Sequence, residues 1–377
     1  MAILYITIIL FILYSILIVY YWRAWLAIPE YRVRDNAKTQ VSIVIPARNE
    51  ENNIVPCLRS VCNQDYPVEA FQIIVVDDCS MDKTWELVSS FSDSRKEVLA
   101  VRLDEVDDLQ FSAHKKRAIK EGIANSANEL IVTTDADCNH PVEWIKTLAS
   151  FYDVSKPAFI AAPVVFETNG SVLQTFQALD FMVLQGITAA SVFKNILSMC
   201  NGANLAYERK AFDEVDGFEG IDNIASGDDM LLMYKIWKKN PSRVHYVKSR
   251  SAIVHTQPMK TWKQFINQRI RWASKARFYN DRRLFPVLLL VYLLNLSFLV
   301  MVVAAFWFPV LWLYLLAFWF AKTIVELPFV YSLANFFNRR SLLRHFFFFQ
   351  PLHIGYTIIA GWLGQFGKYE WKGRQVK

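Results

Sequence analysis

The sequence predicts an α/β protein: a Rossmann-like cytoplasmic domain with a mostly parallel sheet, flanked by transmembrane helices. Three observations carry that expectation. Between about residues 40 and 280, short apolar strands alternate with amphipathic helices, the order that builds a parallel sheet with its ligands at the carboxyl ends of the strands. Apolar runs of membrane-spanning length stand near both ends of the 377-residue chain. The composition agrees, because 54% of the residues are hydrophobic and the mean hydropathy is +0.19, more apolar than an ordinary soluble enzyme.

Ile3 to Tyr20 is almost uncharged, close to the ~20 residues that cross a bilayer, and ends in Tyr20, Tyr21 and Trp22, an aromatic interface marker. Residues 1–22 therefore read as a transmembrane anchor. A cleaved signal peptide fits less well, since no basic region precedes the run and no small-residue cleavage site follows it. Arg23, Arg32, Arg34 and Lys38 come next, so the positive-inside rule places the middle of the chain in the cytoplasm of a multi-pass cell-membrane protein.

Residues 40–260 form the expected α/β domain, with strands at Val41 to Pro46, Phe71 to Asp78, Val98 to Leu103 and one ending at Asp135. Helices are expected up to about Val61, from Ser80 or Asp82, and over Lys115 to Ala124. Residues 261–280 read as an interfacial helix, with Trp262, Phe265, Ile266 and Ala273 at helical spacing and Lys263, Arg269, Arg271 and Lys275 among them. Residues 285–331 form a transmembrane hairpin broken at Pro309. A third segment, 346–367, carries Gln350, His353 and Gln365 and either spans the membrane or lies in its interface. A full span would put the basic tail, 368–377, outside, against the positive-inside rule.

The net charge of +6 suits a domain lying against anionic lipid, and with no RNA- or DNA-binding motif a nucleic-acid partner is not expected. Cys57, Cys62, Cys79, Cys138 and Cys200 contain no C-x-x-C pair and read as free thiols. No G-x-G-x-x-G and no P-loop is present, which excludes the usual dinucleotide and NTP cradles.

The acidic residues cluster at strand ends. Asp135 and Asp137 follow Leu130-Ile-Val-Thr-Thr, and if the strand continues through them both carboxylates face one side, where a divalent cation and its phosphate ligands would neutralise them. An acidic loop is the plainer alternative. Asp77 and Asp78 end another strand, where a carboxylate can accept from a uracil N3–H or from ribose hydroxyls, although Asp78 or Ser80 could instead cap the next helix. Asp228 and Asp229 precede the helical pattern from Met230, and capping competes with catalysis there too. Gln268-Arg-Ile-Arg-Trp272 has the pattern Q-x-x-R-W.

The ordered set Pro46-Ala47-Arg48-Asn49-Glu50, Asp77-Asp78, Asp135-x-Asp137, Asp228-Asp229 and Q-x-x-R-W resembles the membrane-bound family 2 glycosyltransferases, the group of chitin, cellulose and hyaluronan synthases and ceramide glucosyltransferases. Lys115 before Ala118-Ile119 is similar to that family's G-K-x-x-A-L, with His114 in place of the glycine, and Gly227 stands where the family usually has Glu. The resemblance implies a GT-A fold and an inverting transfer from a nucleotide-diphosphate sugar, a UDP-sugar first. It implies that Asp77 or Asp78 holds the uracil, Asp135 the ribose or the metal, and Asp137 a Mg²⁺ or Mn²⁺. Asp229 would be the general base. Pro46, Ala47, Asn49, Glu50, Lys115 and Asp228 would contact substrate, and Gln268, Arg271 and Trp272 would close over diphosphate and acceptor. A membrane lipid or lipid-linked glycan is the favoured acceptor, with a processive polysaccharide synthase as the alternative. A non-catalytic membrane protein or transporter, marked by Lys322 and Glu326, stands outside both; those two are one turn apart, so mutual pairing or snorkelling explains them.

Overall fold

After α1 (Ala2–Ala27), a helix whose one charged residue is Arg23 near its end, the chain enters a sheet through strands too apolar to face water on either side. β1 (Val41–Ala47) and β2 (Phe71–Asp77) are almost continuously buried, which requires helices on both faces of the sheet. In this computed structural model, which describes residues 2–35, 37–104, 113–196, 199–224, 226–275, 283–366, 369–371 and 374–376, they pair in parallel from Val41↔Phe71 to Ala47↔Asp77. The helices α2 (Ile54–Cys62), α3 (Thr84–Ser94) and α4 (His114–Ala124) make the crossovers, and β3 (Val98–Arg102) and β4 (Leu130–Thr133) extend the parallel sheet.

Beyond β4 come α5 (Trp144–Ser155), β5 (Phe159–Ala161), β6 (Val164–Phe166), α6 (Val172–Phe193), β7 (Leu205–Glu208), α7 (Arg209–Asp213), α8 (Met230–Lys239), β8 (Val244–Tyr246) and β9 (Val254–Thr256). The seven-stranded order is β3-β2-β1-β4-β7-β5-β8, with β7 antiparallel to both neighbours, and β6 and β9 pair separately in parallel. The expectation of a mostly parallel α/β sheet is met. This sheet unit comprises Pro29–Glu167 and Leu197–Gln257.

Pro46 sits in β1 without breaking it. The Val44 carbonyl accepts from Thr134 N–H on the β4 side and the Ala47 carbonyl accepts from Asp78 N–H on the β2 side, so the missing Pro46 N–H faces the β4 side. The last β1–β4 pair is Val44↔Thr133, so no ladder bond is lost there.

β4 also ends earlier than expected. It stops at Thr133, so strand alternation does not align Asp135 and Asp137; they stand on a turn closed by Cys138 N–H donating to the Asp135 carbonyl at 3.2 Å. Likewise neither Asp78 nor Ser80 caps α3, which begins at Thr84 with its N–H donating to Asp82 Oδ1 at 3.0 Å.

The helical unit comprises Met1–Ile28, Thr168–Ile196 and Pro258–Lys377. It adds α9 (Trp262–Ser274), α10 (Leu284–Ala305), α11 (Val310–Phe336), α12 (Leu343–Phe366) and the short hairpin β10 (Tyr369–Trp371) and β11 (Arg374–Val376). α1 packs on α6, α10 and α11, and α12 packs on α6, α9, α10 and α11. Five of the described helices are long and apolar enough to cross a membrane. Three were expected, with 346–367 left as spanning or interfacial; the one not expected, α6, differs in having 78% of its apolar window buried inside the protein. α1 runs to Ala27 rather than ending at 22, and α12 continues through Pro351 as one helix. The expected interfacial helix is seen to Ser274; its residues 276–280, and Lys368, Lys372 and Lys377 of the tail, lie outside the described residues.

Lys322 and Glu326 pair rather than snorkel. Lys322 Nζ is 2.6 Å from both Glu326 Oε1 and Gln350 Oε1, Gln350 Nε2 donates to Glu326 Oε2 at 2.6 Å, and the Tyr14 hydroxyl donates to Glu326. The network ties α1, α11 and α12 together with both charges buried. Lys322→Met alone strands the carboxylate and is expected to cost ~3–5 kcal/mol, whereas Lys322→Met with Glu326→Leu should cost far less. Denaturant midpoints in detergent for the two single variants and the double variant measure the coupling.

Candidate active site

The loops after β1 and β2 are laced to each other. Asn49 adopts a left-handed backbone (φ 52°), which asparagine tolerates; its N–H donates to Ser80 Oγ at 3.0 Å and its Oδ1 accepts from Met81 N–H at 2.9 Å. Glu50 N–H donates to Thr84 Oγ1 at 2.7 Å and its carboxylate accepts from Asn53 Nδ2 at 2.7 Å. Asp77 is fully buried, with Oδ2 accepting from Ser80 N–H at 3.2 Å and lying 3.8 Å from Arg102 Nε. The Asp78 carboxylate lies 3.8 Å from Arg48 Nη1 and 3.7 Å from His114 Nδ1. His114, in the glycine's place, thus faces an acidic residue of the cluster.

Lys115 draws three distant segments to one point. Its ammonium is 2.7 Å from Asp135 Oδ1 and 2.9 Å from Asp228 Oδ2, which joins the start of α4, the turn after β4 and the approach to α8. Burial works to lower the Lys115 pKa, but the carboxylates of Asp135 and Asp228 outweigh it, so the group stays charged above its ordinary range. Gly202 lies close by: a Cβ there would stand 3.0 Å from Lys115 Nζ and 3.2 Å from Asp228 Oδ2. The glycine keeps that approach open.

Lys116 does different work from its neighbour. Its ammonium donates to the carbonyls of Ile221 (2.6 Å), Ile224 (2.7 Å) and Ser226 (3.0 Å), holding the segment that leads to Gly227, Asp228 and Asp229. Gly227 supplies the left-handed turn (φ 83°), and Asp229 caps α8 by accepting from Met230 N–H at 2.7 Å. Beside the Asp135–Asp137 turn, the buried Cys57 thiol donates to the Asp135 carbonyl and the buried Cys138 thiol to Asp137 Oδ1, each at 3.7 Å. Burial pushes both thiols up, so they act as small, inert packing groups.

His140 fastens this turn from below, with Nε2 2.8 Å from Thr134 Oγ1 and Nδ1 3.0 Å from Ser60 Oγ. Burial, with His255 nearby, lowers its pKa from 6.5 to about 3. The unfolded chain therefore binds a proton that the folded one refuses. The associated stability is complete above pH 6.5 and declines as pH falls toward 3. Thermal midpoints measured across that range are expected to fall more steeply for the native chain than for His140→Gln.

The Q-x-x-R-W segment lies in the helical unit, on α9, which opens with a capping box between Thr261 and Gln264. Gln268, Arg271 and Trp272 are half-buried. Arg269, expected among the basic residues of a lipid-facing helix, is instead buried. Its Nη2 pairs with Asp180 Oδ2 at 2.8 Å, and its guanidinium lies 4.2 Å from the Trp272 ring centre. One face of the Trp272 indole, expected to close over diphosphate and acceptor, is therefore already covered.

The sequence matches the family model described as glycosyl transferase family group 2 over residues 130–362, more than half the chain, and that of glycosyl transferase family 2 over residues 42–216. The chain belongs to the family 2 glycosyltransferases. It is 26% identical over 255 residues to the probable glycosyltransferase YdaM of Bacillus subtilis, covering 67% of this chain and 58% of that protein. It is 29% identical over 241 residues to the beta-monoglucosyldiacylglycerol synthase of Trichormus variabilis, covering 62% of this chain and 48% of the other. The transferase therefore spans about half the length of these relatives. The mannosyltransferase PcManGT of Pyrobaculum calidifontis, solved in complex with GDP-Man and Mn²⁺, shares the fold: TM-score 0.61, 19% identity, covering 97% of this chain and 98% of that one.

Four site residues beyond the expected ones emerge in this transferase: Lys116, Gly202, His140 and Arg269. Lys116 is adjacent to Lys115 and was visible without its role being readable, and Gly202 has no side chain to signal one. Asp135 and Asp137 fit a hard divalent cation chemically, as two carboxylates on one turn with Asp135 already facing a cation. Among the described residues no cluster of three or more His, Cys, Asp and Glu side chains is disposed to hold a metal, so further oxygens would come from phosphate or water.

Proposed function

We propose that this transferase moves a sugar, with inversion, from a nucleotide-diphosphate sugar, a UDP-sugar first, to a hydroxyl of a membrane lipid or lipid-linked glycan at the cytoplasmic face of the cell membrane. The observation that carries the reading is the Lys115 bridge, which gathers Asp135 and Asp228 from separate segments, with Asp229 next in the chain. A retained ammonium among carboxylates is a ready partner for phosphate oxygens.

Asp229, oriented by its contact with Met230 N–H, accepts the proton of the acceptor hydroxyl as that oxygen attacks the anomeric carbon opposite the departing diphosphate. Lys115 and Arg271 offset negative charge on the leaving group, and Gln268 and Trp272 position donor and acceptor. Asp135 and Asp137 would hold Mg²⁺ or Mn²⁺, which would stabilise the diphosphate as it leaves; PcManGT was solved with Mn²⁺. Asn49, Glu50 and Asp77 shape the nucleotide end by lacing its loops, with Pro46 and Ala47 completing the strand beneath and Asp78 beside them. Five membrane-length helices, and a relative named for a glucosyldiacylglycerol product, favour a lipid acceptor.

The full chain in lipid nanodiscs, given a panel of UDP- and GDP-sugars with and without extracted lipid, tests this. Nucleoside-diphosphate release from one donor is expected to rise with lipid, and mass spectrometry should show a single added hexose-type unit. A long polymer with no lipid dependence would transfer the reading to a processive synthase.

A further inference from the structure

We propose that Asp180, Arg269 and Tyr356 form a positioning triad for Trp272 and Gln268, which makes α12 a working part of the transfer machinery as well as a membrane-length helix. The inference rests on the reading that the Q-x-x-R-W residues act in transfer.

Asp180 of α6 and Arg269 of α9 are each 4% exposed and pair at 2.8 Å. The second Asp180 oxygen accepts from the Tyr356 hydroxyl of α12 at 2.6 Å. Three helices thus meet on one buried carboxylate. The guanidinium is stacked among aromatic rings, with centres 4.2 Å away for Trp272, 4.8 Å for Phe265 and 5.9 Å for Tyr356, and its Nη1 also reaches Gln268 Oε1 at 3.3 Å. It therefore touches two of the three motif side chains. Its Nε has no hydrogen-bond partner among the described residues, so stacking, one carboxylate and the Gln268 contact hold it.

Stability gives little reason to keep such a pair, because a buried ion pair replaced by packed hydrophobic residues is often neutral or better. Geometry gives a reason. A planar cation fixed on one indole face, with the Phe181 ring 6.1 Å away and tilted by 37°, selects one ring orientation, and Lys cannot copy that plane. Because the anchor for Arg269 is shared with Tyr356, a shift of α12 moves the indole.

The test uses the full chain in nanodiscs with the donor identified above. Tyr356→Phe removes one hydroxyl and keeps the ring. It is expected to lower kcat for transfer about tenfold, with KM for the nucleotide sugar and the thermal midpoint unchanged. Arg269→Lys should lose kcat to at least the same extent although charge is kept. Asp180→Asn, whose single oxygen cannot accept from both Arg269 and Tyr356 and which leaves the buried guanidinium uncompensated, should lose kcat at least as far and, unlike Tyr356→Phe, also lower the thermal midpoint. If Trp272→Ala abolishes transfer while Tyr356→Phe and Arg269→Lys keep native kcat, the triad is structural only and the proposal fails with the site reading intact. A parallel loss of kcat, KM and thermal midpoint in Tyr356→Phe overturns it as well. If Trp272→Ala itself transfers normally, the Q-x-x-R-W reading fails and takes the triad with it.

Discussion

Asp229→Asn is expected to reduce turnover by ~10²–10⁴-fold while leaving nucleotide binding close to native, the effect of losing a general base. The choice of Asn matters because Asp229 has two jobs. Its carboxylate accepts from Met230 N–H at 2.7 Å, so it caps α8, and removing the side chain would disturb the helix along with the chemistry. Asn is as good an N-cap as Asp and cannot take up a proton from a hydroxyl, so the substitution separates the roles. Single-turnover transfer and equilibrium binding of the nucleoside diphosphate, measured on the same preparation, provide the reading. Turnover within a few-fold of native would leave Asp229 as a cap alone. A collapse of nucleotide affinity would instead show that the approach to α8, pinned by Lys116 through three carbonyls, depends on the charge of Asp229.

What was legible in the sequence depended on how local the determining physics was. β1 and β2 are unbroken runs that can only be sheet interior, so the parallel core followed from composition and spacing, and with it the acidic residues at the strand ends. The end of β4 was not legible, because Thr133, Thr134 and Asp135 all continue a plausible strand; the turn is closed by Cys138 N–H on the Asp135 carbonyl, which also accepts from the thiol of Cys57, far back in the chain. α6 escaped notice as a long apolar helix because Gln174, Gln177, Asp180 and Gln185 interrupt its hydropathy. Gln177 and Asp180 have partners inside the helical unit, in Met259 and Arg269.

The basic residues of α9 show the same limit. Lys263, Arg269, Arg271 and Lys275 look alike in a helical pattern, yet Arg269 is buried against Asp180 while Lys263 is exposed. Lys115 and Lys116 differ in the same way, one reaching carboxylates and the other carbonyls. The partners of Arg269, Lys115 and Lys116 lie far along the chain, and only the fold reveals them.

Removing divalent cations with excess EDTA is expected to abolish transfer, and adding back Mn²⁺ or Mg²⁺ to restore it. The reason is a charge count at the site. Lys115 contributes one positive charge, while Asp135 and Asp228 beside it contribute two negative ones, which leaves −1, and Asp137 and Asp229 bring the ionised cluster to −3. A nucleotide diphosphate approaching that cluster meets repulsion that one ammonium, shared with two carboxylates, offsets only in part. A divalent cation on Asp135 and Asp137 would cut that charge from −3 to −1 and give the phosphate oxygens a positive centre to approach, so nucleotide affinity should fall with EDTA along with turnover. Asp137→Asn, which weakens the cation's hold without touching Lys115, should raise the Mn²⁺ concentration needed for half-maximal transfer by ~10–100-fold. Isothermal titration of the nucleoside diphosphate with and without Mn²⁺ separates the two contributions. Full transfer by the cation-free protein would overturn the metal reading, and Asp135 would then be a counter-ion of Lys115 rather than a ligand of a metal.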